Sequence, residues 1–182
     1  INVLERLTGP VEIILFILAA VLGAYTGFLL SALISYPMLN NPVLPALFLA
    51  SGTSSGIAAT LLFILIAGKL KGDSHESHFI HKFEVPIMVT ELGLLVCFFV
   101  GLYFGGGQKV IALQNALSGF WGAVFWIGVF LIGILIPLLA NLAVKDNLKY
   151  NKNFIILVSI FDLIGVLCLR YFILYAGQLT VA

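Results

Sequence analysis

Long apolar runs alternate with short polar breaks along the chain, and within each run the apolar character is continuous. Five runs reach the ~20 apolar residues that a helix needs to cross a hydrocarbon core. They predict spans at about 11–36, 45–68, 84–104, 117–141 and 153–176. A β-barrel would alternate apolar and polar positions along each strand, which these runs do not. The expected fold class is all-α, a polytopic transmembrane helix bundle.

The first break, Tyr36 to Pro45, carries no charge and contains Pro37, Pro42 and Pro45, which stop both neighbouring helices. The second, Gly68 to Lys82, is the main polar segment. The third, Gly105-Gly106-Gly107-Gln108-Lys109, reads as a flexible turn. The fourth runs from Val144 to Lys152. Inside the spans, the pairs Gly23/Gly27 and Gly52/Gly56 form GxxxG patterns that read as sites of close helix approach. Pro137 is expected to kink the fourth span.

Composition strengthens the membrane assignment. The 182 residues are 62% hydrophobic and 9% charged, against roughly 25% charged in a soluble domain. The distribution of charge says more than its sum. Arg6, Lys69, Lys71, Lys82, Lys145, Lys149 and Lys152 fall on one side of the predicted topology, and Lys109 with Arg170 on the other. Excess positive charge marks the cytoplasmic side. The proline-rich turn, the third break and the C-terminus are therefore expected outside a plasma or inner membrane. The chain starts on Ile1 with no signal-like region, as the C-terminal part of a longer protein would.

Several chemistries lack support. Cys97 and Cys168 are single cysteines in separate runs, with no spacing for zinc or an iron–sulfur cluster. His75, His78 and His81 share one polar break at a spacing that would put them on one helical face, where a metal is conceivable, but with no Cys or further fixed ligand they read as solvated. With no histidine in any span, no haem is expected in this chain. There is no phosphate-binding loop, dinucleotide fingerprint or nucleophile elbow, and nothing points to nucleic acid.

Polar groups inside membrane spans are costly and usually serve a function. Four ionisable residues lie within or at the edges of the spans: Glu12, Glu91, Asp162 and Arg170. Asp162 and Arg170 are eight residues apart, or ~12 Å along one helix. Together with Glu91 and Glu12 they form a candidate ladder for protons, a role suited to buried carboxylates. A second, uncharged set comprises Tyr25 in the first span and Ser51, Thr53, Ser54 and Ser55 in the second.

Several segments, in order, carry a family resemblance. They are Ala24-Tyr25-Thr26-Gly27-Phe28-Leu29-Leu30; Pro42 through Gly52; Glu91-Leu92; Gly119 with Phe125-Trp126 through Gly133 to Pro137; and Leu169-Arg170-Tyr171 with Tyr175-Ala176-Gly177-Gln178. Together they resemble the polysulfide-reductase membrane-subunit family, also called NrfD-like, over nearly the whole chain. The resemblance implies an integral membrane subunit of a quinone-linked oxidoreductase, with eight or more helices when complete. It implies a quinone (menaquinone or ubiquinone) near the outer face, beside Tyr25 and with Ser51, Thr53 and Ser54 as neighbours. Phe28, Phe48, Trp121 and Trp126 are candidates for the apolar wall. It further implies Glu91 and Arg170 as pathway residues, an iron–sulfur electron-transfer partner and a separate catalytic redox subunit. The subunit would not be a complete enzyme alone. Two other classes fit the residues: a proton- or ion-translocating, transporter-type module without a quinone site, and a purely structural anchor.

Overall fold

The computed structural model describes residues 2–66, 75–143 and 152–179, with side chains from 9–66, 83–143 and 152–179. The side chains of Arg6, Lys69, Lys71, His75, His78, His81, Lys82, Lys145 and Lys149 lie outside the described residues. In chain order the elements are α1 (Asn2–Ser31), α2 (Leu44–Ile66), α3 (His75–Phe104), α4 (Gln108–Leu117), α5 (Gly119–Ala123), a π-helical stretch (Val124–Leu135), α6 (Ile136–Ala143) and α7 (Lys152–Gln178). Because α5, the π stretch and α6 are continuous, five helical segments among the described residues are long and apolar enough to cross a membrane: Gly9–Ser31, Leu44–Ile66, Phe83–Phe104, Gly119–Ala143 and Lys152–Gln178. The chain is a multi-pass membrane protein.

The first helix ends at Ser31, short of the 36 that hydropathy suggests. The Ser31 hydroxyl donates to the Phe28 carbonyl at 2.9 Å, and Leu33 N–H donates to the Leu30 carbonyl at 3.1 Å, tightening the last turn. Pro37 then restricts Tyr36 to extended conformations. The proline-rich turn that follows is built around Asn41, which is buried. Its Nδ2 donates to the Phe98 carbonyl at 3.0 Å and its Oδ1 accepts from Val43 N–H at 3.0 Å. Lys109 Nζ donates to the Asn40 carbonyl at 2.9 Å. These bonds fasten the turn to α3 and to α4. The third break is correspondingly more ordered than its composition suggests. Gly106 and Gly107 take positive φ values of 64° and 52°, conformations open to glycine, and α4 begins directly afterwards.

α7 is the central element, packed against the fourth span on one side and α2 on another; α2 in turn touches α1 and α3. The fourth span and α7 run antiparallel, as the pairs Trp121–Tyr175, Phe125–Phe172, Gly128–Cys168 and Gly133–Gly165 show. α2 and α7 are also antiparallel, with Phe48 against Arg170 and Ser54 against Asp162. The first span is peripheral: 6% of its apolar window is buried, against 39% for the fifth.

Glycine packing differs from expectation in one helix. Gly27 does mark a close approach, since a Cβ there would overlap the Pro45 backbone. Gly52 instead faces the Arg170 guanidinium, and a Cβ at Gly56 would meet nothing within 4 Å. The tightest backbone contact between helices is Gly165 on Gly133, where a Cβ at Gly165 would overlap the Gly133 Cα. Near Pro137, where sequence predicts a kink, the helix widens into the π stretch, with Ile136 N–H bonded to the Leu131 carbonyl. Proline lacks an N–H and its ring crowds the preceding turn; a five-residue hydrogen-bond step gives that turn more room.

Gly165→Leu should therefore force the fourth span off α7, an overpacking cost of about 1–3 kcal/mol or more. It should lower the denaturation midpoint of the purified full-length protein. Gly56→Ala should leave the midpoint unchanged or raise it slightly, because nothing contacts that face and alanine favours helix by roughly 0.5–1 kcal/mol.

Candidate functional site

The buried positions of α2, α3 and α7 follow helical stripes, and polar residues sit in the middle of each. On α3 the stripe reads Glu84, Met88, Glu91, Leu95, Phe98, Leu102, steps of three and four that keep one face inward. On α2 it includes Ser51, Ser54, Ala58, Leu61 and Leu65. On α7 it includes Ile155, Val158, Ser159, Asp162, Gly165 and Leu169. The stripes meet to form a polar layer between two apolar clusters. The larger cluster gathers Met38, Leu39, Leu44, Phe98, Leu102 and Phe172 at the end with the proline-rich turn. The smaller one joins Leu61, Leu65 and Ile155 at the opposite end.

Within the layer, Ser54 Oγ lies 3.0 Å from both carboxylate oxygens of Asp162 and donates to them. Its neighbours behave differently. Ser51 bonds the Phe48 carbonyl at 3.2 Å, Thr53 the Ala50 carbonyl at 2.7 Å and Ser55 the Gly52 carbonyl at 3.1 Å. Those hydroxyls satisfy themselves within their own helix. Ser54 alone among these four crosses to another. Glu91, also buried, stands within electrostatic reach of Asp162 and of Arg170. Glu84 acts electrostatically on Asp162. The Arg170 guanidinium lies over the Phe48 ring, 5.1 Å from its centroid, a cation–π contact worth roughly 0.5–2 kcal/mol. The missing side chain of Gly52 leaves room for it. Three carboxyl groups and one guanidinium thus share the α2–α3–α7 junction.

Other residues singled out by sequence lie elsewhere. Glu12 is on the exposed surface of α1, apart from this junction. Tyr25 is 57% exposed and Thr53 is exposed on α2, while Ser51 and Ser54 are buried. The four polar residues expected to surround a quinone therefore divide into an exposed pair and a buried pair. The aromatic candidates divide similarly. Phe28 and Trp126 are exposed, Phe48 is buried beneath Arg170, and Trp121 stacks on Tyr175 at 6.0 Å. Glu84, Asn41, Asn141 and Ser159 do not stand out in the sequence, yet all are buried. For Glu84 a signal exists: it precedes Glu91 by seven residues, two helical turns along the same stripe.

The sequence model of the family described as "Polysulphide reductase, NrfD" matches residues 1–182. A protein named NrfD homolog from Haemophilus influenzae is 86% identical over 182 residues, which are 100% of this chain and 57% of that protein. Protein NrfD of Escherichia coli is 50% identical over 183 residues, again 57% of its length. The C subunit of polysulfide reductase from Wolinella succinogenes is 42% identical over 180 residues, covering 97% of this protein and 56% of that relative. The chain thus spans a little over half the length of these relatives. No solved structure matches it significantly.

The Ser54–Asp162 bond should show as energetic coupling. In the purified full-length protein, Ser54→Ala should cost about 1.5–3 kcal/mol, the range for a hydrogen bond to a charged group. In an Asp162→Asn background the same change should cost distinctly less, as a denaturation double-mutant cycle would measure.

Proposed function

The chain belongs to the polysulphide reductase NrfD family, and from that premise we propose that it is part of the quinone-interacting membrane subunit of a multi-subunit oxidoreductase. In the cell it exchanges electrons with an iron–sulfur partner, which serves a separate catalytic redox subunit. Menaquinone or ubiquinone is the redox carrier, and the buried ionisable layer conducts protons. The proline-rich turn and α4 face outward from the inner or plasma membrane, and the basic loops face the cytoplasm. The rest of the subunit is supplied by helices outside this chain.

The observation that carries the proposal is the Ser54–Asp162 contact beside Glu91 and Arg170. Four ionisable groups in the interior of a membrane bundle are expensive to maintain, and a proton route gives them a use. The donor set also fits a quinone. Tyr25 offers an exposed phenol six residues before the end of α1, able to donate to a carbonyl oxygen. Thr53 adds a second exposed hydroxyl. Ser51 and Ser54 are buried in α2, and Ser54 is committed to Asp162; their part is to connect the ligand side of α2 with the carboxylates. A bound quinol supplies electrons together with protons. In this chain Tyr25 orients the ligand and Asp162, Glu91 and Arg170 handle the protons, while Glu12 stands on α1 as a surface carboxylate near its other end.

A module that translocates protons or ions without a quinone is favoured by two facts: Ser54 is engaged by Asp162 and Tyr25 is open to the surroundings. The two possibilities separate in the assembled complex. Tyr25→Phe should lower quinol-dependent turnover about tenfold, the equivalent of ~1.4 kcal/mol of lost hydrogen bonding. Glu91→Gln should suppress proton translocation in proteoliposomes while quinol oxidation continues. Unchanged turnover in Tyr25→Phe, with no quinone in the purified complex, would leave only the quinone-free module standing.

A further inference from the structure

We propose that Asn141 and Ser159 hold internal water among α3, α6 and α7, hydrating Asp162 from the side away from the proline-rich turn. Asn141 is 4% and Ser159 1% exposed. Among the described residues neither Asn141 Nδ2 nor Ser159 Oγ has a hydrogen-bond partner. α6 carries Asn141 and packs against both α3 and α7.

The antiparallel register places the two residues at similar depth. Gly133 meets Gly165; Asn141 lies eight residues beyond the first and Ser159 six before the second. At 1.5 Å per residue these are ~12 Å and ~9 Å from the glycine contact, toward the same end. Asp162 is ~4.5 Å from that contact in the same direction. Ser159 and Asp162, three residues apart, share a face of α7. Both orphan groups therefore lie just beyond Asp162, on the side toward the basic loops.

Their chemistry selects the occupant. An amide Nδ2 can only donate, so it needs an acceptor, and a bare cation would leave it unsatisfied. Glu84 and Glu91 flank the layer and disfavour an anion. Water both donates and accepts, and internal waters typically bridge otherwise unsatisfied buried groups. Leaving polar groups dry inside a membrane costs several kcal/mol each. Use of this water as a proton route depends on the proton pathway proposed above; the water itself does not.

A water-resolving structure of the complete complex tests this directly. It should show density about 2.7–3.2 Å from Asn141 Nδ2 and Ser159 Oγ. Ser159→Ala provides a second test. If water bonds the hydroxyl, its removal should lower the thermal midpoint by about 2–4 °C. In a dry site, deleting an unsatisfied hydroxyl is neutral or stabilising, so an unchanged or raised midpoint would overturn the proposal. Density at both groups in a complex that binds no quinone would sustain the water while removing the quinone assignment. A dry site in a complex with intact quinol turnover would do the reverse.

Discussion

A carboxyl group inside a lipid-embedded bundle must be satisfied from within the bundle, and in this fold Ser54 is the protein donor to Asp162. The bond joins α2 to α7, the most buried of the spans. It holds α2 and α7 in an antiparallel register that also sets Phe48 against Arg170. A slip of one turn, ~5.4 Å, would separate the hydroxyl from the carboxylate and carry the guanidinium off the ring. Apolar clusters lie at either end of the polar layer, and its buried charges are screened less than surface ones.

The rest of the architecture accommodates that layer. Lipid gives helices no hydrophobic reason to associate, so close packing has to do so. Gly133 and Gly165 let the fourth span lie directly on α7, and Gly27 lets α1 lie on the start of α2. The π stretch before Pro137 leads into α6, which carries Asn141 to the interior. At the other end, Asn41 and Lys109 tie the turn to α3 and α4. The supports therefore come from every helix, while the ionisable groups of the layer come from only α3 and α7.

The proposed function divides the chain by environment. Exposed donors at Tyr25 and Thr53 face outward from α1 and α2, where a carrier could reach them. Behind α2, the polar groups run from the half-buried Arg170 through the buried Glu91 and Asp162 toward Ser159 and Asn141. Ser54 is the point at which α2 touches that series. Under that proposal, ligand contact and proton handling belong to separate parts of the chain, so that a carrier would stay in an apolar setting while charge moved through a protein-lined interior.

Hydropathy alone determined the all-helical membrane class and the five spans, because a helix crossing lipid must hide its backbone polar groups within itself. The unusual charges in the spans also stood out, and the ordered motifs pointed to the family. The inner stripe of α3 was only half legible: Glu91 stood out, while Glu84, two turns before it on the same face, did not. Tertiary structure decided the rest. Sequence cannot distinguish Ser54 from Ser51, Thr53 or Ser55, since all four hydroxyls can bond their own helix; only the neighbouring carboxylate makes one of them different. Nor can it distinguish the glycines, because a GxxxG pattern is a permission for contact and the partner helix determines whether it is used. Gly56 and Gly165 are equally small, but only Gly165 has a backbone against it.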